Sequence, residues 1–158
     1  MRLSALALAL VGAGITAYLT IEHGRGAAPV CAIGHGCQVV AASAYARVGA
    51  VPTAALGLLM YLLLALSQGM LMLDPPPYVS LRIRQFAAAL AVVGTGFSAW
   101  LTYVEFAVLH AFCLWCTASA VTVALLAVIA VWDALRLSRH SHGSPPDAHA
   151  AITRRVRA

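Results

Sequence analysis

The residues best suited to chemistry are four cysteines in two pairs, Cys31-x5-Cys37 and Cys113-x2-Cys116. In a helix, Cys113 and Cys116 stand one turn apart, close enough to join in a disulfide. The partial positive charge of a helix N-terminus favours the thiolate form there. The other pair bounds the segment Cys31-Ala32-Ile33-Gly34-His35-Gly36-Cys37, whose glycines permit the backbone excursions a mobile loop needs. Two such pairs can pass electrons by exchange through mixed disulfides, one cysteine facing a partner and another reaching the CxxC. Plainer uses compete: buried cysteines as small apolar residues, or a permanent staple across the loop. A metal site with His23, His35 and His110 is a third use. The Cys31–Cys37 spacing suits zinc poorly, and thiols in an oxidising compartment tend to pair first. His35 could assist ionisation of Cys37 or simply be a solvated loop histidine.

The elements that must position these thiols are membrane spans. Of 158 residues, 62% are hydrophobic and 9% charged, with a mean hydropathy of +0.88, which points to an integral membrane protein. Apolar runs at 3–21, 53–73, 86–104 and 113–132 each approach the roughly 20 residues needed to cross a bilayer. The first is expected to be a retained span, since no small-x-small cleavage site directly follows it. Every basic residue is arginine. The net charge of +5 carries no aromatic–basic interleaving, so no nucleic-acid partner is expected.

Arginine placement sets the expected orientation. Arg2, Arg82, Arg84, Arg136, Arg139, Arg154, Arg155 and Arg157 fall on one side, Arg25 and Arg47 on the other. Both termini are then cytoplasmic, and all four cysteines lie on the outer, disulfide-permissive face. Residues 38–45 suggest a short helix over the bundle mouth, and 46–52 lead into the second span. Asp74-Pro75-Pro76-Pro77 ends that span. The link 105–112 is short, making the last two spans antiparallel neighbours. Gly12, Gly14, Ala17, Gly57, Gly94 and Gly96 allow close helix approach. The expected fold is an all-α integral membrane four-helix bundle with a short outer-face helix and a Cys-containing loop. It occupies residues 1–135, with a basic, cytoplasmic, disordered tail at 136–158. The aromatic cluster Trp100, Tyr103, Phe106, Phe112 and Trp115 reads either as an interfacial belt or as walls of a ligand pocket.

Taken in order, these elements resemble the vitamin K epoxide reductase family in its bacterial branch, over roughly residues 3–132. The resemblance rests on Cys31 and Cys37; on Ser43 within Cys37-Gln38-Val39-Val40-Ala41-Ala42-Ser43-Ala44-Tyr45-Ala46; on Gly49 and Pro52; and on Gly57-x3-Tyr61. It continues through Trp100-Leu101-Thr102-Tyr103-Val104-Glu105 and Phe112-Cys113-Leu114-Trp115-Cys116.

The resemblance implies a multi-pass protein of the bacterial cytoplasmic membrane that reoxidises a thioredoxin-fold dithiol partner on the outer face. It would pass the electrons to a membrane quinone, menaquinone or ubiquinone, in support of disulfide formation outside the cytoplasm. Cys116 would be the quinone-proximal cysteine, bonded to Cys113 when oxidised. Cys37 would attack Cys113, and Cys31 would exchange with the partner. Ser43 would sit near the quinone head, where Phe112 and Trp115 could wall the pocket. Many bacterial members carry a fused thioredoxin-like domain; with only a short polar tail here, the partner is expected to be a separate protein. Thr53-Ala54-Ala55 stands where animal enzymes place a polar amide, favouring a plain quinone over an epoxide. A related four-helix disulfide-oxidase family carries its CxxC in the first outer loop, the reverse of the order here. The alternatives are a disulfide-stapled structural or assembly protein and a metal-handling membrane protein.

Overall fold

The computed structural model describes residues 2–27, 29–31 and 35–142, with side chains through 136. Four long apolar helices form the protein: α1 (Arg2–Gly24), α3 (Thr53–Met72), α4 (Pro77–Ala107) and α5 (Leu114–His142). A short helix α2 (Gly36–Ala42), a single 3-10 turn (Ala44–Ala46) and a two-strand hairpin, β1 (Arg47–Val48) and β2 (Val51–Pro52), join α1 to α3. All four long helices have the length and composition to cross a membrane. This is the all-α membrane bundle expected from the apolar runs.

The helices close a ring in which α1 packs on α3 and α5, and α4 on α3 and α5. Charged contacts at one end show the alternation of direction. Arg2 at the start of α1 donates to Asp74 just past α3 (3.3 Å) and to the Leu71 carbonyl (2.9 Å). Arg84, near the start of α4, pairs with Asp133 late in α5. The opposite end therefore gathers the C-termini of α1 and α4, the N-termini of α3 and α5, and all four cysteines.

Small residues make the core narrow. Ala5, Ala9, Gly12, Ala13 and Thr16 form the buried stripe of α1, at the spacing of one helical face. Tyr61 of α3, 0% exposed, lies on that stripe. A Cβ on Gly12 would fall on its ring. Tyr61 also donates to the Ser119 carbonyl of α5 at 2.7 Å, tying three helices below the cysteine end. Of the other glycines expected at helix contacts, Gly57 meets Thr16 and Gly94 meets Met60 and Val123, while Gly14 and Gly96 face open space. Hydroxyls in the bundle are satisfied locally: Thr16, Thr95, Thr102 and Thr122 each donate to the carbonyl four residues earlier. That satisfaction is what an apolar solvent demands.

Three boundaries differ from the apolar runs. α4 begins at Pro77, well before residue 86, because proline suits the first helical position and the charge of Arg84 is matched by Asp133. Arg82 and Arg84 are therefore helical residues, with Arg84 only 8% exposed. α4 also continues to Ala107, which puts Glu105 in its last turns instead of in the link. α5 runs through His142, across the tail boundary expected at 136, since no helix breaker intervenes. Arg136 stacks over Trp132 one turn back, 5.1 Å from the ring centre. The remainder of the expected tail, residues 143–158, lies outside the described residues.

Candidate active site

The turn from α4 into α5 sets the geometry of the CxxC. Leu109 N–H donates to the Val104 carbonyl (2.9 Å) and Ala111 N–H to the Glu105 carbonyl (3.0 Å). His110 takes a left-handed φ of 48° between them. These bonds satisfy the last carbonyls of α4 and reverse the chain within a few residues. Cys113 then stands immediately before α5. Its Sγ accepts the Cys116 N–H at 3.3 Å, as a capping oxygen would accept the third amide of a helix. Its carbonyl takes the Thr117 N–H and Thr117 hydroxyl, both at 3.0 Å. Cys113 is 2% exposed. A hydrogen bond from the Cys116 side chain, aided by the Cys116 N–H, holds its thiol below the ordinary range against the opposing effect of burial.

Glu105 completes this cluster. One donor atom from each of Glu105, Cys113 and Cys116 falls within 4.8 Å of the others. Glu105 is 3% exposed, and its Oε2 has no hydrogen-bond partner. Glu105 falls within the motif of the third span, where its sequence position alone gives it no role. The available signal was an acidic residue at the end of an apolar run, a position that is costly to occupy in a membrane.

The second pair approaches from α2. Cys31 and Cys37 are joined in a disulfide with Cα atoms 6.0 Å apart, while Cys113 and Cys116 are free. Cys37, in the first turn of α2, is 1% exposed; Cys31 is half-buried. Gly36 is the point of closest approach between the pairs. A Cβ there would run into the backbone of Phe112, so the residue before Cys37 lies directly on the residue before Cys113. The expected short helix thus exists but starts earlier, at Gly36, and breaks at Ser43 before the 3-10 turn. The hairpin that follows, with Gly49 at φ 64° in its turn, was not anticipated from residues 46–52.

A cavity of about 400 Å³ opens beside both pairs. Cys37, Cys113, Cys116 and Glu105 share its lining with apolar side chains from α3 and α4, among them Leu56, Met60, Val93, Phe97 and Leu101. Thr16, His23, Tyr45, Thr53, Ser98, Thr102 and Ser119 supply the few other polar groups. The volume lies in the range of small-molecule sites, and apolar walls with sparse polar points suit a lipid-soluble ring.

The three pocket residues expected from sequence stand elsewhere. Ser43 caps α2, donating to the Val40 carbonyl at 2.7 Å. Phe112 packs its ring on Phe106, centres 6.0 Å apart. Trp115 packs on Tyr18 (5.2 Å) and donates from Nε1 to the Val30 carbonyl at 2.9 Å. None of the three lines the cavity. Tyr18, which the sequence reading passed over, accepts the Val30 N–H at 3.1 Å. Trp115 and Tyr18 therefore grip both backbone groups of the residue next to Cys31. Among the described residues, the donor set near enough to share a metal ion is Glu105, Cys113 and Cys116; His23, His35 and His110 do not join it. His23 instead accepts from Arg47 Nε at 3.0 Å.

In comparison with known families, the model of the vitamin K epoxide reductase family aligns with residues 3–131. The aligned region contains both cysteine pairs, Glu105 and all of the cavity lining.

Proposed function

Since the chain belongs to the vitamin K epoxide reductase family and is a multi-pass membrane thiol–disulfide oxidoreductase, we propose that it oxidises a thioredoxin-fold dithiol protein and passes the electrons to a membrane quinone. The observation carrying this reading is that Cys37, Cys113 and Cys116 line a single apolar cavity.

The transfers follow from thiol chemistry. A thiolate of the partner attacks the more exposed sulfur, Cys31, and a mixed disulfide forms as the Cys31–Cys37 bond breaks. The partner's second thiol displaces Cys31, leaving the partner oxidised and the outer pair reduced. The Cys37 thiolate then attacks Cys113 Sγ, and Cys116 leaves. Cys31 attacks Cys37, closing the outer disulfide and freeing Cys113. Two electrons have now moved to the inner pair. The closed Cys31–Cys37 bond and free Cys113 and Cys116 correspond to this stage. Cys113 and Cys116 reclose as the electrons depart. A quinone in the apolar cavity walled by α3 and α4 would supply the two-electron, two-proton sink. The arginine asymmetry supports cytoplasmic termini and an outward-facing cysteine end, in a bacterial cytoplasmic membrane.

Quinone reduction by purified variants tests the relay. Cys116→Ala should abolish it with every reductant. Cys31→Ala should abolish it with a thioredoxin-fold dithiol yet retain it with dithiothreitol, which can reach the inner pair directly. Retention of activity in Cys116→Ala, or equal loss of both activities in Cys31→Ala, refutes the relay order. In intact cells after reduction, a membrane-impermeant maleimide should label Cys31; labelling only after permeabilisation refutes the orientation.

A further inference from the structure

We propose that Glu105 is a catalytic residue, the proton carrier of the inner cysteine pair. It protonates the Cys116 sulfur when the Cys113–Cys116 disulfide opens and takes that proton back when the disulfide recloses. The inference rests on the inner pair being the redox centre and does not require the final acceptor to be a quinone.

Three observations carry it. First, a Glu105 donor atom lies within 4.8 Å of both sulfurs, so a proton can pass between them directly or across one small rearrangement. Second, the carboxyl has no cationic partner among the described residues; its hydrogen bonds go to the two cysteines. It is 3% exposed, its Oε2 has no partner, and it joins none of the ion pairs among the described residues. A buried carboxyl without a cation is expensive to maintain, and packing gives it no purpose: leucine would fill that space at lower cost. Contrast Arg84, the other deeply buried ionisable group on α4, which has Asp133. Third, among the described residues Glu105 is the one carboxyl lining the cavity, and no arginine lines it. Its proton therefore has the thiols and the cavity's contents as its nearest recipients.

The chemistry demands such a group. Attack of a thiolate on Cys113 Sγ breaks the S–S bond and leaves the electron pair on Cys116. That sulfur faces a cavity with mainly apolar walls, where a bare thiolate is costly. Transfer of the Glu105 proton neutralises it and leaves the charge on the carboxylate until the disulfide recloses. On reclosure the Cys113 thiolate and the Cys116 thiol lose two electrons to the acceptor and form the S–S bond. The Cys116 proton returns to the Glu105 carboxylate, and solvent supplies the two protons the acceptor takes up.

The test needs no quinone. In full-length protein carrying Cys31→Ala and Cys37→Ala, the oxidised inner pair is opened by dithiothreitol and followed by the mass added on alkylation, in H₂O and in D₂O. Glu105→Gln keeps shape and hydrogen-bonding capacity but cannot give up a proton. It should slow opening about 100-fold, the scale of general acid catalysis, and lose the solvent isotope effect of the parent. Glu105→Asp should recover part of the rate with the isotope effect intact. A parental rate in Glu105→Gln overturns the proposal. So does a slower rate that keeps the parental isotope effect, which would mark a structural role. Should Glu105→Gln fail to insert, Glu105→Asp decides: slowing with a retained isotope effect supports the proposal, and an unchanged rate overturns it.

Discussion

Cys31 stands half-buried outside any helix, held through its neighbour Val30, whereas Cys113 and Cys116 bracket the first turn of α5. The outer pair is closed across the join into α2; the inner pair is open and set beside a buried carboxyl. The two pairs share one chemistry and differ in what holds them. On the proposed relay, the outer pair needs access, because its substrate is a protein, and the inner pair needs fixed geometry and a controlled proton, because its electrons leave within an apolar cavity. Gly36 is the seam at which the two requirements meet, since it sets Cys37 against the CxxC without itself taking part in exchange.

The largest effect expected at that seam is from Gly36→Ala. A methyl there collides with backbone at Phe112, which cannot swing aside as a side-chain tip can. The separation of Cys37 from Cys113 must then grow, and a displacement of about 1 Å can cost a hundredfold in a positioned reaction. Transfer from the outer to the inner pair should slow about 100-fold, while opening of the inner disulfide by dithiothreitol stays near the parental rate. Rapid-quench alkylation separates the two. Equal slowing of both would mean that the pairs are not independent modules.

A smaller effect sharpens the inner half of the comparison. Cys113 has a lowered pKa, chiefly through the hydrogen bond from the Cys116 side chain. The sign follows directly: a lowered thiol pKa keeps the reactive thiolate present at lower pH, and raising it makes that thiolate appear only at higher pH. Alkylation of reduced Cys113 should therefore begin below the ordinary thiol range, near pH 8.5. In Cys116→Ala the onset should move upward. An onset unchanged by this substitution would assign the ionisation to the helix N-terminus alone.

Trp115→Phe should have the smallest effect, and it should fall on the outer half. It removes the 2.9 Å bond to the Val30 carbonyl while keeping a ring for Tyr18 to pack on. One such bond contributes about 0.5–1.5 kcal/mol. Oxidation of the protein dithiol should slow about 2- to 10-fold, with dithiothreitol-driven turnover unchanged. Loss of both activities would return Trp115 to the quinone pocket, where the aromatic clustering in the sequence had suggested a place for it.

Much of the molecule was legible from one dimension. The four spans follow from runs of apolar residues, and the antiparallel neighbours follow from the short link at 105–112. The cysteines were legible too, because pairing and CxxC spacing are local properties. Where the spans end was less legible. Arg84 looks like a loop charge until Asp133, far along the chain, is seen to offset it. Pro77 looks like a stop after α3 but serves as the first residue of α4.

The pocket is where sequence and structure part. Ser43, Phe112 and Trp115 flank the cysteines in sequence, yet a cap, a ring contact and a backbone clamp occupy them. The cavity walls come instead from Leu56, Met60, Val93 and Phe97, on α3 and α4, and nothing in their local sequence marks them among the other apolar residues. Composition and spacing by themselves determined the solvent of this protein, its four helices and its thiol chemistry, since each depends on residues close together in the chain. Tertiary structure alone decided that Gly36 meets Phe112, that Glu105 faces Cys116, and which apolar faces enclose a cavity. These depend on the rotation and depth of each helix relative to its neighbours, which small residues such as Gly12 against Tyr61 set only once the bundle has packed.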